Sequence, residues 1–441
     1  MQRKMRRSVA IAVAASAVFG LAACSGGGGA NPTSDDGSMK GTIKVWDLLV
    51  GSDKNWKATM DKVDAQFEKD HPGAKIDRIA QPADPATIHQ LMQAAAQSKS
   101  GPDLIMIWAW GDVLTLKPSL VPIDKYISKK ERDSLTGWDG VTFGGETYGV
   151  PIGLQGLGIS YNTKLFQEAG LDPDTPPASV DDLLTACKAL NAAGITPIGG
   201  GNKEGYLSGW TTSTLYAGTA TTKEAAKQAT YTAPFTEAPF ADAAAGVMKL
   251  VDGKCFDKNM PATPWYPDGF QKFQDGKAAM QFTIYSQFGY MTDPKIGQYV
   301  KFIPSIENTR TPEFLPAGAM NVWAVTSFSQ HKKLAAELAV FQEQAKYQQE
   351  RLDTAGYFPN NKGVSFDDFL KTHPGAAPLV KMLKDGAKTV LPVHNMQDAK
   401  TNDIFQSQLE LVMLGQTSLK DALQATEDSR KQQYPVLMGS Q

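Results

Sequence analysis

Apolar and polar positions follow two different periods along this 441-residue chain. Segments that alternate every second residue predict strands, and segments with apolar residues every three to four positions predict amphipathic helices. Near the start, the predicted strands are residues 42–46, 75–79 and 104–107, and predicted helices over 56–67 and 85–98 separate them. This alternation of strands and helices predicts an α/β fold with a largely parallel sheet.

Predicted strands and helices continue to alternate towards the end of the chain. Further strands are predicted over 148–152, 158–161, 196–198, 278–282 and 322–326. Helices are predicted over 179–193, over 240–251, and through Leu334, Leu338 and Phe341. Phe405, Leu409, Val412 and Met413 share one helical face, Gly415 ends that helix, and Ser418 caps the next. The C-terminal part is therefore expected to be rich in helices.

Connectors rich in glycine and proline divide the chain at 151–153, 316–318 and 358–360. A chain of this length is expected to form about two domains. Three connectors between two domains suggest that the domains interleave in sequence and do not simply follow one another.

The N-terminus resembles a bacterial lipoprotein signal. Basic residues at positions 3, 4, 6 and 7 precede an apolar run, 9–23, which is short for a membrane span. Small residues then precede Cys24, the residue that such signals lipidate; in the alternative reading, an ordinary signal peptide carries a coincidental cysteine. Residues 25–39 begin with a glycine run and are expected to form a flexible tether. We therefore expect export and a lipid anchor on the outer face of the cytoplasmic membrane.

Composition excludes several classes of function. Lys and Arg number 44 against 46 Asp and Glu, so no basic excess points to nucleic acid as a partner. Five scattered histidines form no metal-ligand cluster, and no cofactor is expected. Three cysteines are too few for a disulfide scaffold. Outside the cytoplasm Cys187 and Cys255 could form a disulfide, and the sequence leaves open whether they do.

Five short segments carry a resemblance to a known family. They are 67–73 (FEKDHPG), 101–105 (GPDLI), 148–151 (YGVP) leading into 161–171, 273–280 (FQDGKAAM) and 355–359 (AGYFP). In this order they resemble the extracellular solute-binding proteins of bacterial ABC transporters, in the carbohydrate-binding family that includes maltose-binding protein.

The resemblance implies a periplasmic-binding-protein-like fold of two α/β lobes joined by three hinge crossings. Lobe 1 would comprise 40–153 and 317–357, and lobe 2 would comprise 154–316 and 358–441. It also implies a monomer that binds a sugar or oligosaccharide between the lobes, closes on it by hinge motion, and delivers it to the permease subunits of an ABC importer.

A sugar cleft needs flat rings that stack on C–H faces, and carboxylates or amides that pair with hydroxyls. Trp108, Trp110 and Asp112 follow a predicted buried strand, where α/β sheets place their ligands. Because residues two apart in a strand share a face, we expect both tryptophans to point the same way; the alternative places one in the core.

The resemblance supplies the remaining candidate positions. They are Gln155 at the first crossing, Glu204, Tyr206 and Trp210 in and after a glycine-rich loop, Tyr285 where the family has a tryptophan, Gly318 and Asn321 at the second crossing, Trp46 and Asp47 at the end of the first strand, and Asn402 and Asp403 at the start of a late helix. Gln155 could instead lie in a surface loop, the group around Glu204 on a lid surface, and Trp46 in the core.

Two rival functions remain. A secreted glycoside hydrolase or lyase could use Asp112 and Glu204 as its carboxylates, but the chain lacks the Gly-x-Ser-x-Gly and His-Glu-x-x-His motifs of other hydrolases. The same fold could also bind a peptide, a polyamine or another small solute. We expect a binding protein and not an enzyme.

Overall fold

The computed structural model describes residues 38–82, 85–319, 321–393 and 398–438. The predicted signal peptide, Cys24 and tether residues 25–37 lie outside the described residues. Within the described ranges, no helix is both long enough and apolar enough to cross a bilayer.

The described strands and helices follow one another along the whole chain. The strands are β1 (Gly41–Asp47), β2 (Ala74–Ala80), β3 (Leu104–Trp108), β4 (Thr142–Phe143), β5 (Glu146–Thr147), β6 (Val150–Ile152), β7 (Gln155–Asn162), β8 (Thr196–Gly199), β9 (Ala278–Ile284), β10 (Val300–Ile303), β11 (Phe314–Gly318), β12 (Asn321–Val325) and β13 (Lys388–Val390). The helices are α1 (Lys54–Asp70), α2 (Pro85–Ser98), α3 (Gly111–Leu116), α4 (Lys129–Ser134), α5 (Thr163–Glu168), α6 (Val180–Ala192), α7 (Tyr206–Ala217), α8 (Thr222–Ala229), α9 (Phe240–Asp252), α10 (Phe270–Gln274), α11 (Lys332–Phe341), α12 (Ala345–Ala355), α13 (Asp367–Thr372), α14 (Ala377–Lys384), α15 (Ala399–Met413) and α16 (Leu419–Met438).

Two large sheets organise these elements. The first has the order β2-β1-β3-β12-β6, in which β12 alone runs antiparallel to its neighbours. The second has the order β13-β11-β7-β9-β8, and β10 also pairs with β7. Helices pack on both sheets and bury separate apolar clusters. The α/β expectation is confirmed, and the first sheet is largely parallel as predicted.

Local sequence signals explain where several helices begin. The Asp53 side chain accepts hydrogen bonds from the first-turn N–H groups of α1. Ser179 and Asp182 form a reciprocal capping box at the start of α6. The Ser418 hydroxyl accepts from Asp421 N at the start of α16, as predicted for that cap. The apolar stripe of α1 that includes Met60 is buried in the first core.

The second crossing differs from its expected position. Residues 316–318 belong to β11, so the chain passes from the second sheet to the first between Gly318 and Asn321. Pro316 has no N–H to donate, and it lies where β11 stops pairing with β13 and begins pairing with β7. A proline at such a change of neighbour leaves the strand intact.

The other two crossings lie side by side. The first runs from β6 into β7 through Gly153, and the third follows α12. Leu154 N donates to the Phe358 carbonyl at 2.7 Å. Gly153 has a φ of +55°, and a Cβ there would lie 2.9 Å from the Phe358 carbonyl oxygen. The close approach of these two connecting segments therefore requires glycine at position 153.

Cys187 and Cys255 form a disulfide, with their Cα atoms 5.2 Å apart. Both cysteines are fully buried in the core beside the second sheet. The bond ties α6 to the segment that follows α9, which settles the pairing that the sequence left open.

Candidate ligand-binding cleft

A small cavity of about 40 Å³ lies where the crossings meet. Its walls come from both sheets and from the segments that connect them. Residues on its walls include Trp56, Ile152, Gln155, Ser286, Asn321 and Tyr357. A cavity built from both halves of a molecule at its connecting strands is a common location for small-molecule sites.

The structure brings several predicted residues together beside this cavity. Gln155 and Asn321 line it, and both side chains are partly exposed. Strand register places Asn321 opposite Trp108, which is also partly exposed. Gln155 Nε2 donates to Ser286 Oγ at 2.8 Å, and Gln155 Oε1 accepts from Ser286 N at 3.2 Å. The Gln155 amide is thus fixed within the second half of the molecule, and Asn321 lines the same cavity from the first sheet.

Two aromatic rings form another wall of the cavity. Trp56 and Tyr357 meet edge to face with ring centroids 5.4 Å apart. The Tyr357 hydroxyl donates to Asp53 Oδ2 at 3.0 Å. Burial, followed by the nearby Asp53 carboxylate, raises the pKa of Tyr357 above its ordinary value. Tyr357 is therefore a neutral hydrogen-bonding ring at neutral pH.

Arg351 is a basic residue on the cavity wall, and its charge faces Glu343. Its Nη1 and Nη2 atoms lie 3.0 and 2.5 Å from the two carboxylate oxygens of Glu343. The guanidinium also lies over the Trp56 ring, 5.0 Å from its centroid. The Arg351 side chain is only 3% exposed, so it acts mainly as a buried support for the wall.

The third crossing is held to the first sheet by amide side chains. Gln348 Nε2 donates to Asn360 Oδ1 at 2.7 Å, and Gln348 Oε1 accepts from Asn360 N at 2.9 Å. Asn360 Nδ2 in turn donates to the carbonyls of Thr136 and Pro151. These bonds fix the start of this crossing next to β6.

A second aromatic surface lies at the start of α7. Tyr206 is 43% exposed and stacks on Trp210, with centroids 5.8 Å apart and planes at 26°. Trp210 itself is buried and meets Trp265 at 4.6 Å. Glu204 is exposed, and its Oε2 accepts from Trp265 N at 2.9 Å. The structure therefore presents Tyr206 as an exposed ring and places Trp210 beneath it as support.

The loop after β3 separates the two tryptophans that were expected to share a face. Trp108 ends the strand, whereas Trp110 has a φ of +63° and is only 1% exposed. Trp110 lies in the first core, as the alternative reading had it for one of the two, and Trp108 packs against the same core while staying partly exposed. Asp112 is nearly buried, and its carboxylate contacts His89 Nε2 at 2.9 Å and Trp108 N at 3.4 Å.

Three further predicted residues lie in the protein interior. Asp47 is fully buried and accepts four hydrogen bonds from within its own half of the molecule. Tyr285 is fully buried and packs on Phe302 and Phe358, and burial raises its pKa. A Cβ on Gly318 would lie 2.3 Å from Leu391, so protein and not ligand accounts for this glycine.

The last predicted positions are Trp46, Asn402 and Asp403. Trp46 is half-buried and packs against the first core, as the alternative reading had it. Asn402 is half-buried and Asp403 is exposed on α15. Neither lines the cavity described above. Within the described part of the chain, no group of three His, Cys, Asp or Glu side chains is placed to hold a metal ion.

Sequence reasoning missed other wall residues, among them Trp56, Ser286 and Tyr357. Trp56 carried a core signal, since it begins the buried stripe of α1. Tyr357 lies within 355–359, a segment that carried the family resemblance but was given no role in binding. Ser286 follows Tyr285 directly, and the family comparison placed a cleft side chain within a residue or so of that position.

Comparison with known proteins identifies the family. Residues 62–378 match the family model described as bacterial extracellular solute-binding protein. This chain belongs to that family. It is also 24% identical, over 289 residues, to the sn-glycerol-3-phosphate-binding periplasmic protein UgpB of Brucella melitensis. That match covers 60% of this chain and 62% of the relative's length.

Solved structures share the fold at low sequence identity. A chitin oligosaccharide binding protein has a TM-score of 0.74 and 21% identity, and the match covers 90% of this chain and all of that one. The cyclic alpha-maltosyl-1,6-maltose binding protein of Arthrobacter globiformis has a TM-score of 0.71 and 18% identity, covering 91% and 100% of the two chains. Maltose-bound MalE3 of T. maritima has a TM-score of 0.66 and 19% identity, covering 88% and 99%. The predicted family and the two-lobed fold are confirmed.

Proposed function

We propose that this protein is the substrate-binding component of an ABC importer and binds a sugar or oligosaccharide between its lobes. The observation that carries the proposal is the cavity at the crossings, where Gln155, Ser286 and Asn321 stand beside aromatic rings. Amides and hydroxyls pair with sugar hydroxyls, and rings cover sugar C–H faces. Three structural relatives are named for chitin oligosaccharide, maltose or a cyclic maltosyl sugar, which supports this class of ligand.

The charges around the cavity favour a neutral ligand over a phosphorylated one. Among the described wall residues Arg351 is the one cation, and its guanidinium is already engaged by Glu343. A phosphate group is best held by a cation whose donors are directed at it. We therefore propose a neutral polyhydroxylated ligand, unlike the glycerol phosphate for which the Brucella relative is named.

The lobes proposed here follow the two sheets. Lobe 1 takes residues 40–153 and 321–357, and lobe 2 takes 154–318 and 358–441. The second boundary moves from 317 because β11 pairs with the second sheet up to Gly318. Ligand contacts from both lobes would favour the closed arrangement, and the crossings would absorb the motion.

We assign ligand contact to the predicted residues that remain accessible. Trp108, Gln155 and Asn321 would act at the crossings, and Glu204 and Tyr206 would act as an acid and a stacking ring on lobe 2. Asp112, Asn402 and Asp403 remain candidates for the cleft mouth. Trp110, Trp210, Asp47 and Tyr285 are assigned to support, because each is buried by protein.

The family is one of extracellular proteins, and we propose that this member is exported and then held at the membrane. The basic and apolar N-terminal pattern and Cys24 support a lipid anchor on the outer face of the cytoplasmic membrane. We also propose that the protein is a monomer, that it docks on permease subunits in the membrane, and that it performs no catalysis.

A thermal-shift screen tests the ligand class. Residues 31–441 would be mixed with mono- and oligosaccharides and, separately, with sn-glycerol 3-phosphate. A ligand that binds only the folded state raises the melting temperature by mass action. We expect at least one neutral sugar to raise it, and Gln155→Ala and Asn321→Ala to abolish the shift.

Gln424→Ala provides the matched control, because Gln424 is exposed on α16 away from the cavity wall. This variant should keep the full shift. A shift with glycerol phosphate alone, or no shift with any sugar from folded protein, would contradict the proposal.

A further inference from the structure

An aromatic contact joins the two lobes away from the residues that line the cavity. Trp110 follows β3 of the first sheet, and Tyr231 lies between α8 and α9, two helices of the proposed lobe 2. Their ring centroids are 5.2 Å apart at an interplanar angle of 63°. Trp110 is 1% exposed and Tyr231 is 4% exposed, and the ring of Tyr231 belongs to the first lobe's apolar core.

Groups on lobe 2 hold Tyr231 in this position. Its hydroxyl donates to the carboxylate of Asp398, just before α15. Its backbone carbonyl accepts from Arg430 Nη1 at 2.7 Å. Arg430 is itself fixed by two hydrogen bonds to Glu427, at 2.9 and 2.7 Å. The ring of Tyr231 is therefore a rigid projection of lobe 2, supported by both C-terminal helices.

Trp110 is held by groups on lobe 1. Its backbone N donates to the Gly140 carbonyl at 2.8 Å, and its ring meets Phe143 edge to face at 6.0 Å. Its φ of +63° is unfavourable for a tryptophan, and burial of the ring offsets that strain. Next to this contact, Leu391 of lobe 2 lies against Gly140.

Separation of the lobes would break this contact. Trp110 and Tyr231 are each fixed within their own lobe, so neither ring can follow the other during opening. Both rings would then be exposed to water. This exposure is unfavourable because each aromatic ring buries a large apolar surface when it is packed.

We infer that the described arrangement of the lobes is the closed one, and that Trp110 and Tyr231 form a latch that stabilises it before ligand arrives. The inference rests on the proposed closure of two lobes, and it makes Tyr231 a positioning residue that sets the open population. A favourable closed state in the free protein lowers the cost of closure when ligand binds. From the strength of aromatic pairs, loss of the Tyr231 ring should raise the open-to-closed ratio on the order of tenfold.

Small-angle X-ray scattering of ligand-free protein tests the latch without reference to any sugar. Residues 31–441 would be compared as wild type, Tyr231→Ala and Tyr231→Phe, with Tyr299→Ala as the control. Tyr299 is a half-buried tyrosine that packs within lobe 2 alone. We expect a larger radius of gyration for Tyr231→Ala, an intermediate one for Tyr231→Phe, and the wild-type value for Tyr299→Ala.

A second measurement follows Trp110 directly. In protein labelled with 5-fluorotryptophan, the Trp110 resonance is assigned by its absence in Trp110→Phe. The resonance should move towards its solvent-exposed position in Tyr231→Ala and stay in place in Tyr299→Ala. If Tyr231→Ala does not fold, Tyr231→Phe and Asp398→Asn provide the same comparison.

Unchanged scattering and an unchanged Trp110 resonance in a folded Tyr231→Ala protein would overturn the latch. A wild-type protein whose scattering shows separated lobes would overturn it as well. Neither result depends on the sugar screen, so the latch and the proposed ligand class can fail independently.

Discussion

Replacing Asp47 by Asn distinguishes a structural carboxylate from a ligand-binding one. Asp47 Oδ1 accepts from Leu49 N and Val50 N at 2.8 and 3.2 Å. Its Oδ2 accepts from Trp56 Nε1 at 3.1 Å and from Arg78 Nη1 at 3.0 Å. In Asp47→Asn the oxygen can keep the first two bonds, but the new amide nitrogen then faces two donors.

The expected loss follows from the two bonds that cannot form. Both lost bonds are accepted by the Asp47 carboxylate, and a hydrogen bond to a charged group contributes about 1.5–3 kcal/mol. The loss of unfolding free energy for Asp47→Asn is therefore about 3–6 kcal/mol, a large part of a typical total stability of about 5–15 kcal/mol. Arg78 keeps its bonds to Asp64 at 2.6 and 2.8 Å, which prevents a greater loss.

Urea denaturation followed by circular dichroism measures this loss in ligand-free protein. The matched control is Asp61→Asn, because Asp61 pairs with Lys57 on the surface of α1 and both side chains are more than half exposed. Such a pair contributes less than about 1 kcal/mol. Sugar affinity, measured below the unfolding transition, should be the same in both variants as in wild type.

Two results would refute the reasoning. One is a loss of stability for Asp47→Asn no greater than that for Asp61→Asn. The other is a loss of sugar affinity in Asp47→Asn with normal stability, which would return Asp47 to the ligand site that its place at the end of β1 first suggested.

Three other predictions concern the fold and the hinge. Replacing Cys187 and Cys255 by Ser should lower the free energy of unfolding by about 4 kcal/mol, because the disulfide closes a loop of 68 residues in the unfolded chain. Equal urea midpoints for the variant and the wild type would contradict this. Gly153→Ala and Gly170→Ala should each lower the unfolding free energy by about 1–2 kcal/mol, since both glycines have positive φ. Only Gly153 approaches another crossing, at the Phe358 carbonyl, so only its variant should change the scattering of the free protein. Burial lowers the pKa of His373, so stability should decrease as pH falls through the ordinary histidine range; an NMR-titrated value at or above 6.5 would contradict this.

Local sequence signals were sufficient to predict helices whose apolar pattern and capping residues lie within one segment of the chain. Helix α2 spans 85–98 as predicted, and the pair Ser179 and Asp182 caps α6 as predicted. Strands β11 and β13 were not predicted, because their pairing joins residues more than 70 positions apart. A proline within β11 also made that strand resemble a connector.

The cleft could be predicted only in part, because its walls come from distant segments. Gln155 and Asn321 were found through their positions at the crossings, and the structure does place them on the cavity wall. Trp110 was misjudged because strand alternation was extended one step past a turn with positive φ. Tyr357 was missed because its partners, Trp56 and Asp53, lie about 300 positions earlier in the chain.

In the sequence, an acidic residue with a structural role looks the same as one that is free to bind a ligand. In the structure, the hydrogen-bond partners of each carboxylate distinguish the two roles. Asp47 is fully buried, and four donors from the protein surround its carboxylate. Glu204 is exposed, and a backbone hydrogen bond from Trp265 N orients its carboxylate two positions before Tyr206. A sugar hydroxyl that approached Asp47 would have to displace an existing donor, whereas one that approached Glu204 would meet an oriented acceptor in solvent. Of these two carboxylates, Glu204 is therefore the one suited to recognise a ligand.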